Sequence, residues 1–139
     1  MIKKLFILLA ILFATVLSAG IGDFKLINAA QKAYVAKDYN KTSKLYKELN
    51  RDAASVHYDT AEAYYKRAKY KEALKEYKRA KGKGVDEHNR LHNIGNVYFK
   101  QKKFDDAIKA YEASLKIRKD KDTKYNLDLA KKQKKKKQK

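Results

Sequence analysis

The chain contains no cysteine, no proline and no tryptophan, and only five of its 139 residues are glycine. Without cysteine there is no disulfide, no thiolate metal ligand, no cysteine nucleophile and no lipid on a processed N-terminal cysteine. With no proline and little glycine, the usual interruptions of helical structure are few. Alanine, leucine, lysine and tyrosine are abundant, a mixture that favours long helices over sheets. Acidic residues are scarce too. Sixteen of them face 35 lysines and arginines, a formal net charge of +19, which attracts anionic partners such as nucleic acid, lipid headgroups or acidic proteins.

Several chemistries are missing as well. Gly82 and Gly84 lack the surrounding pattern of a phosphate-binding loop. No serine, histidine and carboxylate constellation stands out along the chain, so nucleophilic catalysis has no support. His88 and His92, spaced i, i+4, could share one helical face, but zinc needs a further ligand from Asp86, Glu87 or another chain. The bland assignment, one histidine starting a helix beside a second facing the groove, is preferred. His57 reads as a substitute for an apolar residue in a helix. The expectation is a non-enzymatic protein with no catalytic residues, cofactor or metal.

Long apolar runs are confined to the N-terminus. Lys3 and Lys4 precede the run Leu5 to Leu17, which is followed by Ser18-Ala19-Gly20. A positive start, a thirteen-residue apolar stretch and small residues at a cleavage position make an export signal. Cleavage after Ala19 or Gly20 fits. No charge falls between Lys4 and Asp23, however, and eighteen uncharged residues also suffice for an uncleaved membrane anchor. Residues 1–20 are read as signal peptide or anchor, and either places the remainder outside the cytoplasm.

The most informative feature is a repeat. Residues 54–87 and 88–121 align at an offset of 34: Ala61 with Gly95, Tyr64 with Tyr98, Tyr70 with Phe104, Ala73 with Ala107, Tyr77 with Tyr111. Apolar residues at i, i+3, i+4 and i+7 (Tyr70, Ala73, Leu74, Tyr77; then Phe104, Ala107, Ile108, Tyr111) describe one face of a helix. The small residues permit close approach of two helices, and the tyrosines fill the space between them with phenol oxygens reaching a wet edge. Leu91-x2-Ile94-Gly95-x2-Tyr98 followed by Ala107-x3-Tyr111 closely resembles the tetratricopeptide repeat signature, with Leu91 in place of the usual tryptophan. A weaker copy at 23–53, three residues short, has Ala30 at the small position, then Tyr39, Thr42, Tyr46 and Leu49. Ala33 stands where tyrosine is expected, beside Tyr34.

The signature's proline after the second helix is absent, with Val85 and Lys119 in its place; Gly82 and Gly84 are expected to end the middle copy's second helix, and no such breaker occurs between Lys119 and Asp122. Residues 121–130 begin like another first helix with no second helix after it. They are read as a cap whose apolar face (Tyr125, Leu127 or Leu129, Ala130) covers the end of the stack. The resemblance implies an all-α fold: a domain over 23–130 of three hairpins (23–53, 54–87, 88–121) stacked as a right-handed superhelix, then the cap. The N-terminal hydrophobic helix precedes it and a lysine-rich tail, 131–139, follows.

In that architecture the first helices line a concave groove. The inward register holds Asn28, Asp59, Asn93 and Asn126; then Gln31, Glu62 and Asn96; then Tyr34, Tyr65 and Phe99. Amides that both donate and accept can pair with an extended backbone, and adjacent rings add apolar contact. A protein or peptide partner is expected there; the plainer alternative is a polar face whose asparagines bond neighbouring helices. A free C-terminal carboxylate is not the expected ligand, because Tyr58, Asp59 and Glu62 interrupt the basic ring of the carboxylate-clamp members.

The tail (Lys131, Lys132, Lys134, Lys135, Lys136, Lys137 and Lys139) is expected to be frayed by mutual repulsion. It is either a solubilising end or an anionic-membrane contact, each lysine gaining about 1 kcal/mol near such a surface; nucleic acid is disfavoured for an exported chain. More narrowly, the leader, Leu91-His92-Asn93-Ile94-Gly95-Asn96-Val97-Tyr98, Phe104-Asp105-Asp106-Ala107 and Lys124-Tyr125-Asn126-Leu127-Asp128-Leu129 resemble the small exported component of bacterial aerotolerance (Bat-type) operons. That resemblance implies a periplasmic location, free or at the inner membrane's periplasmic face, and a membrane-bound von Willebrand factor A-type partner.

Overall fold

The computed structural model describes residues 20–49 and 52–138, and all regular structure among them is helical. The leader and Lys139 lie outside the described residues. Among those described, no helix is long and apolar enough to cross a membrane. The chain divides into two compact units, Met1–Asn50 and Arg51–Lys139.

The first unit holds α1 (20–35) and α2 (Tyr39–Glu48). Helix α2 starts where it does because the Asp38 carboxylate accepts the Lys41 backbone N–H at 3.0 Å, satisfying one donor with no intrahelical partner. Ala30, Ala33, Thr42, Tyr46 and Leu49 are buried. Thr42 stays inside because its hydroxyl donates to the Asp38 carbonyl at 2.9 Å.

The second unit runs α3 (Ala54–Lys66), α4 (Tyr70–Arg79), α5 (Glu87–Lys100), α6 (Phe104–Ile117) and α7 (Lys121–Lys137). Ala61, Tyr64, Ala73, Tyr77, Ile94, Val97 and Ala110 form one apolar cluster. Ala107, Tyr111, Leu127 and Ala130 form a second, under α7. Small residues set the helix spacing. A Cβ on Gly95 would lie 2.5 Å from the ring of Tyr111, and that ring, 1% exposed, is too tightly enclosed to retreat.

One turn recurs three times. Lys37, Ala68 and Lys102 each adopt a left-handed conformation, with φ of 59°, 57° and 58°. Each donates its N–H three residues back, to Tyr34, Tyr65 and Phe99, and the next residue donates to Ala33, Tyr64 and Tyr98, all at 2.9 Å. An edge-on aromatic pair clasps every turn: Tyr34–Tyr39, Tyr65–Tyr70 and Phe99–Phe104, with centroids 5.4, 5.8 and 5.5 Å apart. The shortened first copy therefore uses the same joint as the other two.

The helix ends differ from expectation in three places. Helix α4 stops at Arg79, and Gly82 and Gly84 shape the connecting turn rather than the helix end. After α6, Arg118 is extended, and the Asp120 carboxylate caps α7 by accepting the Thr123 N–H at 2.9 Å; a capping acid supplies the break that no glycine or proline provides. The tail is not frayed: α7 continues to Lys137. The cap's inner face is Thr123, Leu127 and Ala130, while Tyr125 is 68% exposed. In the residues that would meet a following second helix, Lys124, Asp128 and Lys131 replace Leu91, Gly95 and Tyr98 (offset 33), and this polar face ends the array.

Candidate functional site

In the second unit, side-chain bonds lay the first helices side by side. Asn93 Nδ2 on α5 donates to the Tyr58 hydroxyl on α3 at 2.9 Å, and Asn126 Nδ2 on α7 donates to Asn96 Oδ1 on α5 at 3.1 Å. Asn96 Oδ1 also accepts the Tyr111 hydroxyl at 2.7 Å. The asparagines of the expected groove thus act between helices. Asn96 gives the buried phenol of Tyr111 its acceptor, and burial raises that phenol's pKa. With its oxygen engaged by two donors, Asn96 carries its remaining N–H hydrogens on the opposite side of the amide.

Asp59, Glu62, Tyr65, Asn93, Asn96, Phe99 and Asn126 are all half-buried, neither core nor fully solvated. Burial, reinforced by the Asp59 carboxylate, pushes the Glu62 carboxyl above its usual range. Tyr65 is raised likewise by burial and then by Tyr70. The rings of Tyr65 and Phe99 have a second duty in the turn clasps. A sequence signal for that duty existed in the aromatic pairs five residues apart at 34/39, 65/70 and 99/104.

In the first unit, Tyr34 serves its own clasp. Asn28 and Gln31, with Lys32, Val35 and Ala36, line an open hollow of about 460 Å³ along α1.

The structure also brings together a grouping that chain order concealed. His88 Nδ1 lies 2.9 Å from Ser114 Oγ and 3.0 Å from the Ser114 carbonyl, and its Nε2 lies 3.0 Å from Asp120 Oδ2. A serine, a histidine and an aspartate in series suggest acyl-transfer chemistry, but this arrangement is architectural. Ser114 has no exposed surface, and its hydroxyl donates to the His88 carbonyl at 2.9 Å. No substrate carbonyl could reach it. The cluster instead pins α6 and the start of α7 onto α5. His92 adds a contact to Thr123 Oγ1 at 2.7 Å, and its pKa is lowered, chiefly by burial. His88 is therefore buried rather than merely starting a helix. Among the described residues no group of three metal-ligating side chains is placed to hold a metal ion.

A second polar cluster surrounds His57, which is buried in α3. Its Nδ1 meets Glu76 Oε2 at 2.6 Å and its Nε2 meets Asp52 Oδ1 at 2.7 Å, with Arg79 on Asp52 at 2.9 Å. The substitution of an apolar residue expected at this position is real, and a carboxylate from the facing helix accompanies it.

Residues 89–121, the α5–α6 hairpin, match the tetratricopeptide repeat family. The fold is the one such domains share. The tetratricopeptide repeat domain of Sgt2 from Aspergillus fumigatus superposes with a TM-score of 0.69 at 19% identity, covering 79% of this chain and 77% of that one. The second such domain of human RPAP3, solved with an HSP70 peptide, gives 0.72 at 18% identity, covering 81% and 98%. The Yersinia enterocolitica secretion chaperone SycD, solved with a peptide of the translocator YopD, gives 0.70 at 12% identity, covering 79% and 92%. At these identities the likeness is one of fold. No curated protein matches the chain.

Proposed function

We propose that this chain is a non-enzymatic interaction scaffold that receives an extended segment of a partner protein along the half-buried face of α3, α5 and α7 in its second unit. The observation that carries this reading is the pair of cross-helix bonds, Tyr58–Asn93 and Asn96–Asn126. They align α3, α5 and α7 into one surface and orient its amides before any partner arrives, which lowers the ordering cost of binding. Peptide-bound domains of the same fold, RPAP3 with its HSP70 peptide and SycD with its YopD peptide, support a peptide as the guest.

The narrower reading rests on the leader and on the Bat-type resemblance. It places the scaffold in the bacterial cell envelope, in the periplasm or at the inner membrane, with a von Willebrand factor A-type membrane protein as partner in a stress-related complex. The test uses Asp59→Ala, Glu62→Ala and Asn93→Ala together, which spares the turn clasps and the Asn96–Tyr111 bond. Co-purification of the von Willebrand factor A-type protein should fall at least about tenfold, as loss of one central contact cluster predicts, while the circular dichroism of the scaffold is unchanged. Undiminished recovery with the fold intact refutes the groove. Failure of the wild-type chain to recover that protein, with another envelope protein retained through the same residues, removes only the narrower partner.

A further inference from the structure

We propose that the outward face of α7 is a docking surface for anionic phospholipid headgroups, distinct from the groove. Two observations carry it. The first is that the lysine-rich end is built into the fold. Helix α7 continues from Ala130, its last buried residue, to Lys137. Lys131 Nζ pairs with Glu112 Oε1 of α6 at 3.1 Å, and Lys134 pairs with Asp105 of α6. These two lysines thus pair with acidic side chains of α6 from the flank of α7, Lys131 remaining 48% exposed. Lys132, Lys135 and Lys136 are exposed, and at 3.6 residues per turn they continue a stripe begun by Lys121 and Tyr125.

The second observation is Tyr125 itself, 68% exposed two turns before Lys132 on that stripe. An aromatic ring with a polar tip, flanked by lysines on one face of a helix, has the composition of an interfacial segment. The ring sits at headgroup depth and the ammonium groups reach phosphates. Asp128, the acid on the stripe, is held by Lys124 at 3.0 Å. Around the helix end, Lys137 joins Lys102 and Lys103 on a hollow of about 480 Å³ at the start of α6, where Asp105 and Asp106 also stand.

The chemistry favours a lipid plane over nucleic acid. No arginine follows Arg118, so the bidentate fork that reads individual phosphates or bases is missing. One exposed ring is no stacking ladder for single strands. Compact ammonium charges suit a diffuse anionic surface.

The test measures binding of the full-length protein to vesicles of phosphatidylglycerol in phosphatidylcholine and to pure phosphatidylcholine. The difference between the two removes any contribution of the apolar residues 5–17. Lys132→Gln with Lys136→Gln should weaken that difference about thirtyfold, from roughly fivefold per lysine near an anionic surface. Lys131→Gln with Lys134→Gln removes the same charge from the two lysines already paired with acids of α6 and should leave most of it. Equal losses in the two variants would reduce the effect to net charge and overturn the proposal. Tighter binding to a single-stranded DNA oligonucleotide at the same salt overturns the lipid assignment, as does equal binding of the wild type to both vesicle types.

Discussion

The two hairpins of the second unit reach one geometry from different interiors. Where α5 has Leu91, α3 has His57, and where α6 has Ala110, α4 has Glu76 at the matching position. The α3–α4 pair is therefore bridged at this position by a histidine set between two carboxylates, while the α5–α6 pair places its polar bridges elsewhere, at His88–Ser114 and Asn96–Tyr111. Small-against-aromatic packing also differs. Ala61 tolerates its Cβ beside Tyr77, both being buried in one cluster, but Tyr111 occupies the volume a Cβ on Gly95 would need. The groove side diverges in parallel: Asp59 and Glu62 on α3 stand where α5 has Asn93 and Asn96. The hairpin is thus fixed by its turn and its small residues, and the remaining positions accept different solutions provided the partners change together.

Converting one hairpin's interior into the other's tests this most strongly. His57→Leu removes the 2.6 Å partner of Glu76, whose side chain is only 14% exposed, and leaves it Arg79 at 3.9 Å. This should cost about 3 kcal/mol, the upper scale for a buried polar group deprived of its hydrogen bond. Adding Glu76→Ala should restore most of the loss, since the pair then copies Leu91 and Ala110. Denaturant midpoints of the single and double variants give the coupling, and additive losses would break the comparison. Next in size, Gly95→Ala should destabilise by about 2 kcal/mol through overpacking against Tyr111. Ala61→Gly in the other hairpin should cost about 1 kcal/mol, the helical penalty of glycine. Similar values at both sites would mean the two tyrosines pack alike.

The smallest effect concerns the acidic wall. Burial, then Asp59, raises the folded pKa of Glu62 above 4.5. A carboxyl raised on folding favours the fold in its protonated form, so its contribution is full below the unfolded pKa and is lost as pH rises through the folded one. At neutral pH Glu62→Gln should therefore raise stability by about 0.3 kcal/mol through relief of an i, i+3 like-charge pair. The gain should vanish as pH falls below 4.5. Thermal melts across pH resolve it, and a variant less stable at neutral pH contradicts the sign.

Much of the hairpin plan was legible from residues 54–121, because a 34-residue spacing of small and aromatic side chains encodes which helix faces meet. The groove residues were legible by position and not by duty. Amide chemistry alone cannot distinguish an asparagine that greets a ligand from one that bonds a neighbouring helix, and Asn96 bonds both Tyr111 and Asn126. The tail misled for a related reason. Repulsion along seven lysines argues for fraying, but Glu112 and Asp105, nineteen and 29 residues before Lys131 and Lys134, neutralise two of them from another helix.

By itself, then, the sequence determined helical periodicity, the repeat length, the small-residue contacts and the strongly basic end. Those are properties of spacing and composition, which act through local geometry. Only the tertiary structure decided that His57 and His88 lie inside polar clusters, that Ser114 and Asp120 flank one imidazole without catalytic access, and that α7 presents Tyr125 and three lysines outward. Each depends on which side chains of distant segments arrive within hydrogen-bonding distance, and packing alone settles that.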